Sequence, residues 1–185
     1  MLSLIAIGAG ILIAALLGVA AARPNTFRVQ RSRKIQAPPE TIFALLQDFR
    51  QWPAWSPYEK LDPAMSREYS GAPSGAGAVY QWAGNRKAGA GRAEIIDARA
   101  PQRVVIKLDF LKPFEGHHTA EFALAAQGDA TTVTWAMYGP QPYLCKLMSL
   151  FVNMDRMIGK EFEAGLANLE STAARRSGWS STVAR

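Results

Sequence analysis

Hydrophobic and polar positions divide the chain into three regions with different periods. Residues 1–22 carry no charged side chain. From residue 26 to residue 138, short runs of alternating apolar and polar residues are separated by Gly-, Pro- and Asn-containing turns, which is typical of antiparallel strands. After residue 142, apolar side chains recur every three or four positions, which indicates an amphipathic helix.

The alternating region predicts seven strands with the spacing of an antiparallel meander. A short amphipathic helix is predicted between the first two strands, because Pro38 and Pro39 suit a first helical turn and an apolar stripe follows over 42–49. The predicted strands are 26–36, 65–69, 78–83, 90–98, 103–110, 117–125 and 131–138.

The last region predicts one helix of about 30 residues with a single apolar stripe. A stripe of this kind must be buried, and the sheet face is the surface that can cover it. We therefore expect one α+β domain over residues 26–173, followed by a flexible basic tail over 174–185. The stripe consists of Leu144, Leu147, Met148, Phe151, Met154, Ile158, Phe162, Leu166 and Leu169.

Residues 1–22 predict a membrane segment separate from that domain. A helix needs about 20 apolar residues to cross a bilayer core, and this run meets that length. The alternative is a cleaved signal peptide, since Ala20-Ala21-Ala22 resembles a cleavage site. No Lys or Arg precedes the run, which favours an uncleaved anchor. Basic residues follow from Arg23 onward, so the positive-inside bias predicts a cytoplasmic-facing domain.

Several motifs of the middle region together resemble one known superfamily. The sequence is similar to the START-like, or SRPBCC, superfamily, and within it to the polyketide cyclase/dehydrase-type branch. That resemblance implies a helix-grip fold, in which a curved antiparallel sheet wraps around a long C-terminal helix and leaves an apolar cavity between them. The motifs are IQAPPETIFALLQDFRQWPAWSPYE (35–59), GAGAVYQWAGN (75–85), LDFLKPF (108–114), TAEFAL (119–124), TVTWAMYGP (132–140) and the helical segment 163–169.

The alternation predicts which side chains would line that cavity. Side chains two apart on a strand share a face, and the apolar face is taken as the inward one. The alternative is a filled core, which uses the same residue types; the resemblance favours the cavity. The predicted ligand-binding residues are Trp55, Tyr80, Trp82, Phe110, His118, Phe122, Trp135, Met137, Phe151, Met154, Ile158 and Arg33.

Arg33 is included because it falls on the inward face of the first strand, as Arg31 does. An inward arginine is costly unless it is paired or solvated. One hypothesis is a cation that fixes the carboxylate or phosphate of a ligand. The alternative is that both arginines lie at the sheet rim and reach water.

The long loop after the short helix contains Trp52 and Trp55, with Pro53 and Pro57 beside them. The prolines restrict the backbone, so the two rings are held in place. Residues three apart in a helical turn face the same way. We expect at least one ring to close one end of the space between sheet and helix.

Composition and charge narrow the possible partners. Hydrophobic residues make up 49% of the chain and charged residues 19%, which is close to the globular average. The net charge of +6 suits an anionic membrane surface or ligand, whereas the basic residues are too scattered to predict nucleic-acid binding. Cys145 is the sole cysteine, so no intrachain disulfide can form, and we expect it to be buried.

Candidate chemistry is sparse. His117 and His118 are adjacent in a strand and point to opposite faces, so no metal site is predicted. His118 could act as an acid or base in the pocket, with Tyr80 as a second weak candidate; a hydrogen-bonded core histidine is the alternative. No Walker sequence, serine-nucleophile elbow or haem attachment site occurs, and no cofactor is expected.

Three functions remain open from the sequence. The first is a membrane-anchored binding module for a hydrophobic or amphipathic small molecule, such as a lipid. The second is a cyclase- or dehydratase-like enzyme acting on a polyketide-like substrate. The third, also implied by the resemblance, is a co-chaperone-like regulatory domain with a protein partner, which predicts a filled or very small cavity.

Overall fold

The computed structural model describes residues 2–177 and shows one antiparallel sheet packed against a C-terminal helix. The helices are α1 (Leu2–Ala22), α2 (Pro39–Leu46), α3 (Tyr143–Met148) and α4 (Met154–Ser177), and two 3-10 helices span Phe49–Ala54 and Pro57–Lys60. The strands are β1 (Thr26–Ile35), β2 (Ser66–Gly71), β3 (Ala78–Ala83), β4 (Ala90–Arg99), β5 (Arg103–Lys112), β6 (Gly116–Gln127) and β7 (Ala130–Pro140).

The seven strands follow the order β1-β7-β6-β5-β4-β3-β2. Strands β2 to β7 form a meander, and β1 joins its far edge by pairing with β7, with Thr26 opposite Pro140. The chain between β1 and β2 carries α2 and both 3-10 helices across the inner face of the sheet. This arrangement confirms the predicted α+β helix-grip architecture of a curved sheet around a C-terminal helix.

Helix α4 is held on the inner face of the sheet by the second half of its apolar stripe. Phe162, Leu166 and Leu169 are buried. The Phe162 ring stacks on Trp135 of β7 with ring centroids 4.1 Å apart. The apolar face of the helix therefore packs on the apolar face of the strand through this aromatic contact.

The predicted single terminal helix is wrong at one point, because residues 149–153 interrupt it. The Ser149 hydroxyl donates to the carbonyl of Lys146 at 2.6 Å. The Asn153 side chain accepts from the backbone N–H of Arg156 at 2.9 Å, which caps the start of α4. These local bonds end one helix and begin another, so the apolar spacing continues while the helix does not. The first part of the stripe is therefore exposed.

Helix α1 packs through its last turns against α3. Ala20 is buried, and the Tyr143 hydroxyl donates to the carbonyl of Leu17 at 3.0 Å. The Arg23 guanidinium donates to the Ser149 hydroxyl at 2.9 Å. Among residues 2–177, no helix combines the length and apolarity that crossing a membrane requires, so the transmembrane prediction for residues 1–22 is not supported.

Two smaller predictions concern Cys145 of α3 and the C-terminal limit of α4. Cys145 is exposed on α3, which corrects the prediction that it is buried. Its segment packs through Lys146, which is 6% exposed, so the neighbouring thiol faces outward. Helix α4 continues to Ser177, and residues 178–185 of the predicted tail lie outside the described residues.

Candidate ligand-binding site

The space between sheet and helix has two ends of different character. At one end, which we call the closed end, Trp55, Phe122 and Trp135 are buried in contact with one another. The ring centroid of Trp135 lies 5.6 Å from that of Trp55 and 4.9 Å from that of Phe122. These three predicted ligand residues therefore pack as core in this structure, and their part in ligand binding stays a prediction.

The tryptophans of the long loop are fixed by hydrogen bonds as well as by proline. The indole N–H of Trp52 donates to the carbonyl of Leu46 at 3.2 Å, and that of Trp55 donates to the carbonyl of Leu45 at 3.3 Å. Their ring centroids are 5.2 Å apart. Both rings lie in the core between sheet and helix at the closed end, where at least one of them was expected.

At the other end, which we call the open end, the inner face of the sheet is half-buried. Strand register places Leu108 opposite His118, Phe110 opposite Gly116 and Phe27 opposite Gly139. Helix α4 begins over this region. The half-buried side chains of the open end are Phe27, Trp82, Leu108, Phe110, His118, Met137 and Ile158. Five of these were predicted from the sequence; Phe27 and Leu108 were missed, although strand alternation places both on the apolar face.

Gly91 brings Trp82 into the open end. Trp82 lies opposite Gly91 in the β3–β4 ladder, and a Cβ at Gly91 would lie 2.5 Å from the Trp82 ring. Because the glycine has no side chain, the indole can lie flat over β4 and reach Phe110, with ring centroids 5.9 Å apart. Its N–H donates to the carbonyl of Ala88 at 3.1 Å. The position of Trp82 at the open end therefore depends on the absence of a side chain at Gly91.

His118 is the polar group of the open end. Its ring contacts Phe27 edge-on, with centroids 5.1 Å apart, and neither ring nitrogen has a hydrogen-bond partner among the described residues. Burial, reinforced by the charge of neighbouring His117, lowers the pKa of His118 below the usual 6.5. The ring is therefore neutral at pH 7, with one donor and one acceptor unused.

His117 points the other way, as predicted for adjacent strand residues. Its Nδ1 lies 2.7 Å from the Asp109 carboxylate on the outer face. Within residues 2–177 no group of three or more His, Cys, Asp or Glu side chains could hold a metal ion.

Tyr80 lies deeper and its hydroxyl is already engaged. It donates to the Glu59 carboxylate at 2.6 Å, and Arg67 pairs with the same carboxylate at 2.7 Å. Burial and the hydrogen bond to Glu59 raise the pKa of Tyr80 well above its usual range. Tyr80 is thus part of a satisfied buried network, whereas His118 at the open end keeps unused bonding capacity. Sequence reasoning missed Glu59, because a single Glu in a loop gives no signal of burial.

The two inward arginines pair with α4. Arg33 contacts Glu170 at 2.6 Å, and Arg31 contacts Asp155 at 3.0 Å and Glu163 at 2.8 Å. These contacts join the edge strand β1 to the helix along the rim of the domain. Both guanidinium groups are paired with the protein's own carboxylates and stay partly exposed, Arg31 at 24% and Arg33 at 45%, as the rim alternative predicts; a ligand role for Arg33 stays a prediction.

Phe151 and Met154 lie outside the sheet–helix space. Phe151 is 73% exposed in the segment between α3 and α4, and Met154 is 37% exposed at the start of α4. The break in the predicted helix moves both off the buried stripe. Of the predicted helix residues, Ile158 is the one that reaches the open end.

Two surface depressions mark opposite ends of the sheet. The first, of about 540 Å³, adjoins the open end; the second, of about 640 Å³, lies at the turn between β4 and β5. The first is lined by Pro24, Thr26, Phe27, Arg28, Tyr138 and Gly139.

The domain has relatives of known structure at low sequence identity. A solution structure from Thermobifida fusca is 19% identical, with a TM-score of 0.59 over 80% of this chain and 93% of that one. The ginseng major latex-like protein 151 from Panax ginseng is 13% identical, with a TM-score of 0.58 over 81% and 99%. DynU16, a putative protein in the dynemicin biosynthetic locus, is 16% identical, with a TM-score of 0.56 over 84% and 49%.

These structural likenesses show the fold, and the family follows from the sequence. No curated protein matches the chain. Residues 26–174 match the family model described as polyketide cyclase / dehydrase and lipid transport, which covers the whole sheet and most of α4. The chain therefore belongs to the polyketide cyclase/dehydrase and lipid-transport family of the SRPBCC superfamily.

Proposed function

We propose that the domain binds a hydrophobic or amphipathic small molecule, such as a lipid, at its open end. The observation that carries this proposal is the half-buried apolar inner face around an unpartnered, neutral His118. The family's description, which includes lipid transport, supports the same class of ligand.

The chemistry of the open end favours an amphipathic ligand over a purely apolar one. Phe27, Phe110 and Ile158 offer apolar area that is only partly buried. An acyl chain or ring system laid on them would gain about 25 cal/mol for each Å² removed from water. Neutral His118 can donate one hydrogen bond and accept another, which suits a hydroxyl, carbonyl or protonated carboxyl group.

Titration with a fluorescent fatty acid tests this assignment. Phe110→Ser should weaken binding about tenfold, the equivalent of roughly 1.4 kcal/mol, because it removes one aromatic wall of the site. Ile96→Ser is the matched control, since Ile96 is a 52% exposed apolar side chain elsewhere on the sheet. Equal affinities of the two variants would contradict a site at the open end.

A second function, acid–base catalysis on a bound polyketide-like substrate, is supported by one observation. His118 is neutral and free of partners, so it could accept a proton from a substrate held against Phe110. A catalytic role predicts that His118→Gln binds the substrate and does not turn it over. Turnover at the wild-type rate by that variant would leave binding as the function.

A further inference from the structure

Three chain segments meet around the open end. The β3–β4 turn (84–89) and the β5–β6 turn (113–115) lie side by side, because Ala90 pairs with Lys112 across the ladder. A Cβ at Gly89 would come within 3.5 Å of the Pro113 ring. The third segment, from the end of β7 to the start of α4, is tied to the start of β1 by a bond from Gln141 N–H to the Asn25 carbonyl at 2.7 Å.

These segments expose large apolar side chains at their tips. Phe114 of the β5–β6 turn and Phe151 of the α3–α4 segment are each 73% exposed. Leu111 is 56% exposed and Val152 is 41% exposed beside them. Exposed apolar side chains at one end of a domain are typical of a surface that meets an apolar partner.

Basic side chains without ionic partners accompany these tips. Arg86 and Lys87 of the β3–β4 turn and Lys112 at the end of β5 are exposed, and no described carboxylate forms an ion pair with them. Glu115 lies among them, and the Asp62 carboxylate accepts from the backbone N–H of Asn85 in the β3–β4 turn at 2.7 Å. Cations beside apolar side chains match a surface that presents negative charge above an apolar interior.

Helix α1 joins the domain at the same end in a fixed position. The buried Lys146 ammonium donates to the Asn25 side chain at 2.6 Å and so ties the linker after α1 to α3. Ile11 and Leu12 of α1 are 66% and 62% exposed. The helix therefore adds apolar area to the end that already carries the exposed tips.

We propose that this end of the molecule docks on an anionic phospholipid bilayer. Phe114, Leu111 and Phe151 enter the acyl boundary, while Arg86, Lys87 and Lys112 contact lipid phosphates. The open end then faces the bilayer, so an amphipathic ligand can pass between membrane and protein. The docking surface surrounds the ligand site; docking itself needs no bound ligand, and only the passage of a ligand rests on the proposed function.

A fluorophore placed at the tip tests the docking in the full chain. Cys145→Ser removes the native thiol, and Phe114→Cys then carries an environment-sensitive label. With vesicles of phosphatidylcholine and phosphatidylserine, the label should shift to the blue and be quenched by a lipid-borne quencher. The same label at Ile96→Cys is the matched control and should stay in water, even if α1 alone holds the protein on the vesicle.

The charge requirement is tested in the same labelled protein. The pair Lys87→Glu and Lys112→Glu should reduce insertion of the Phe114→Cys label several-fold, whereas Lys34→Glu, an exposed lysine at the opposite end of the sheet, should not. No response of the label, or equal insertion into pure phosphatidylcholine, would overturn the proposal. If the label shifted to the blue without vesicles, because the protein associates with itself, the surface would bind a second copy of the chain and not a bilayer. Fatty-acid titration without vesicles reports on ligand binding separately.

Discussion

At the scale of single residues, His118 gives the open end a pH dependence. Its pKa is lowered by burial first and by His117 second, so the unfolded chain binds a proton at this site more readily than the folded one. The stability that the neutral ring contributes is present above about pH 6.5 and is lost as the pH falls through the lower folded pKa.

We therefore expect the free energy of unfolding to fall between pH 7 and pH 5, and to fall less in His118→Asn than in the wild type. Urea denaturation across this range measures both slopes. Parallel slopes for the two proteins would show that His118 does not titrate in the folded domain with a lowered pKa.

A second residue-scale prediction concerns Glu59, which is 7% exposed and shared by Arg67 and Tyr80. Glu59→Gln removes the charge opposite Arg67 and should cost about 2–3 kcal/mol, at the low end for a buried pair because Arg67 is 24% exposed. Glu94→Gln is the matched control: its partner Arg92 lies at 2.7 Å, yet both side chains are about one-third exposed. Its cost should stay below about 1 kcal/mol. Equal losses in chemical denaturation would contradict this ranking.

At the scale of elements, two glycines set how closely α4 approaches the sheet. A Cβ at Gly165 would lie 2.6 Å from the Trp135 ring and 3.1 Å from the Pro57 ring, and the buried Trp135 ring cannot move without disturbing the core. Gly→Ala inside a helix ordinarily gains about 1 kcal/mol. Gly165→Ala should instead lose about 1–3 kcal/mol. Thermal unfolding measures the sign.

Gly159→Ala on the same helix is the comparison. Its Cβ would meet the guanidinium of Arg31, which can rotate away at the loss of its contacts with Asp155 and Glu163. The loss should therefore be smaller than for Gly165→Ala. If Gly165→Ala proved the more stable variant, α4 would lie farther from Trp135 than the distance of 2.6 Å from the Gly165 Cβ position implies.

The strands could be predicted from sequence because alternation and turn residues mark them locally. The break between α3 and α4 could not, since the apolar spacing runs through residues 149–153 while the interruption depends on bonds from Ser149 and Asn153. The ionic partners of Arg31 and Arg33 could not be predicted from the sequence either. Their carboxylates lie about 130 residues further along the chain, and only the fold brings them together.

At the scale of the whole molecule, the sequence predicted the fold and only part of the candidate site. The same aromatic residue types line a cavity or fill a core, and alternation cannot distinguish the two. Trp55, Phe122 and Trp135 fill the closed end, which the regulatory-domain hypothesis also predicts. Phe110, His118 and the other half-buried residues form the open end, on which the proposed binding function depends.

The most direct test of that function maps a bound fatty acid onto the full-length, ¹⁵N-labelled protein by NMR. Ligand binding at the open end predicts chemical-shift changes that centre on Phe27, Phe110, His118 and Ile158. The turn between β4 and β5, at Gln102, should stay unchanged. Shifts confined to α1, shifts centred on the closed end, or no shifts at all would contradict ligand binding at the open end.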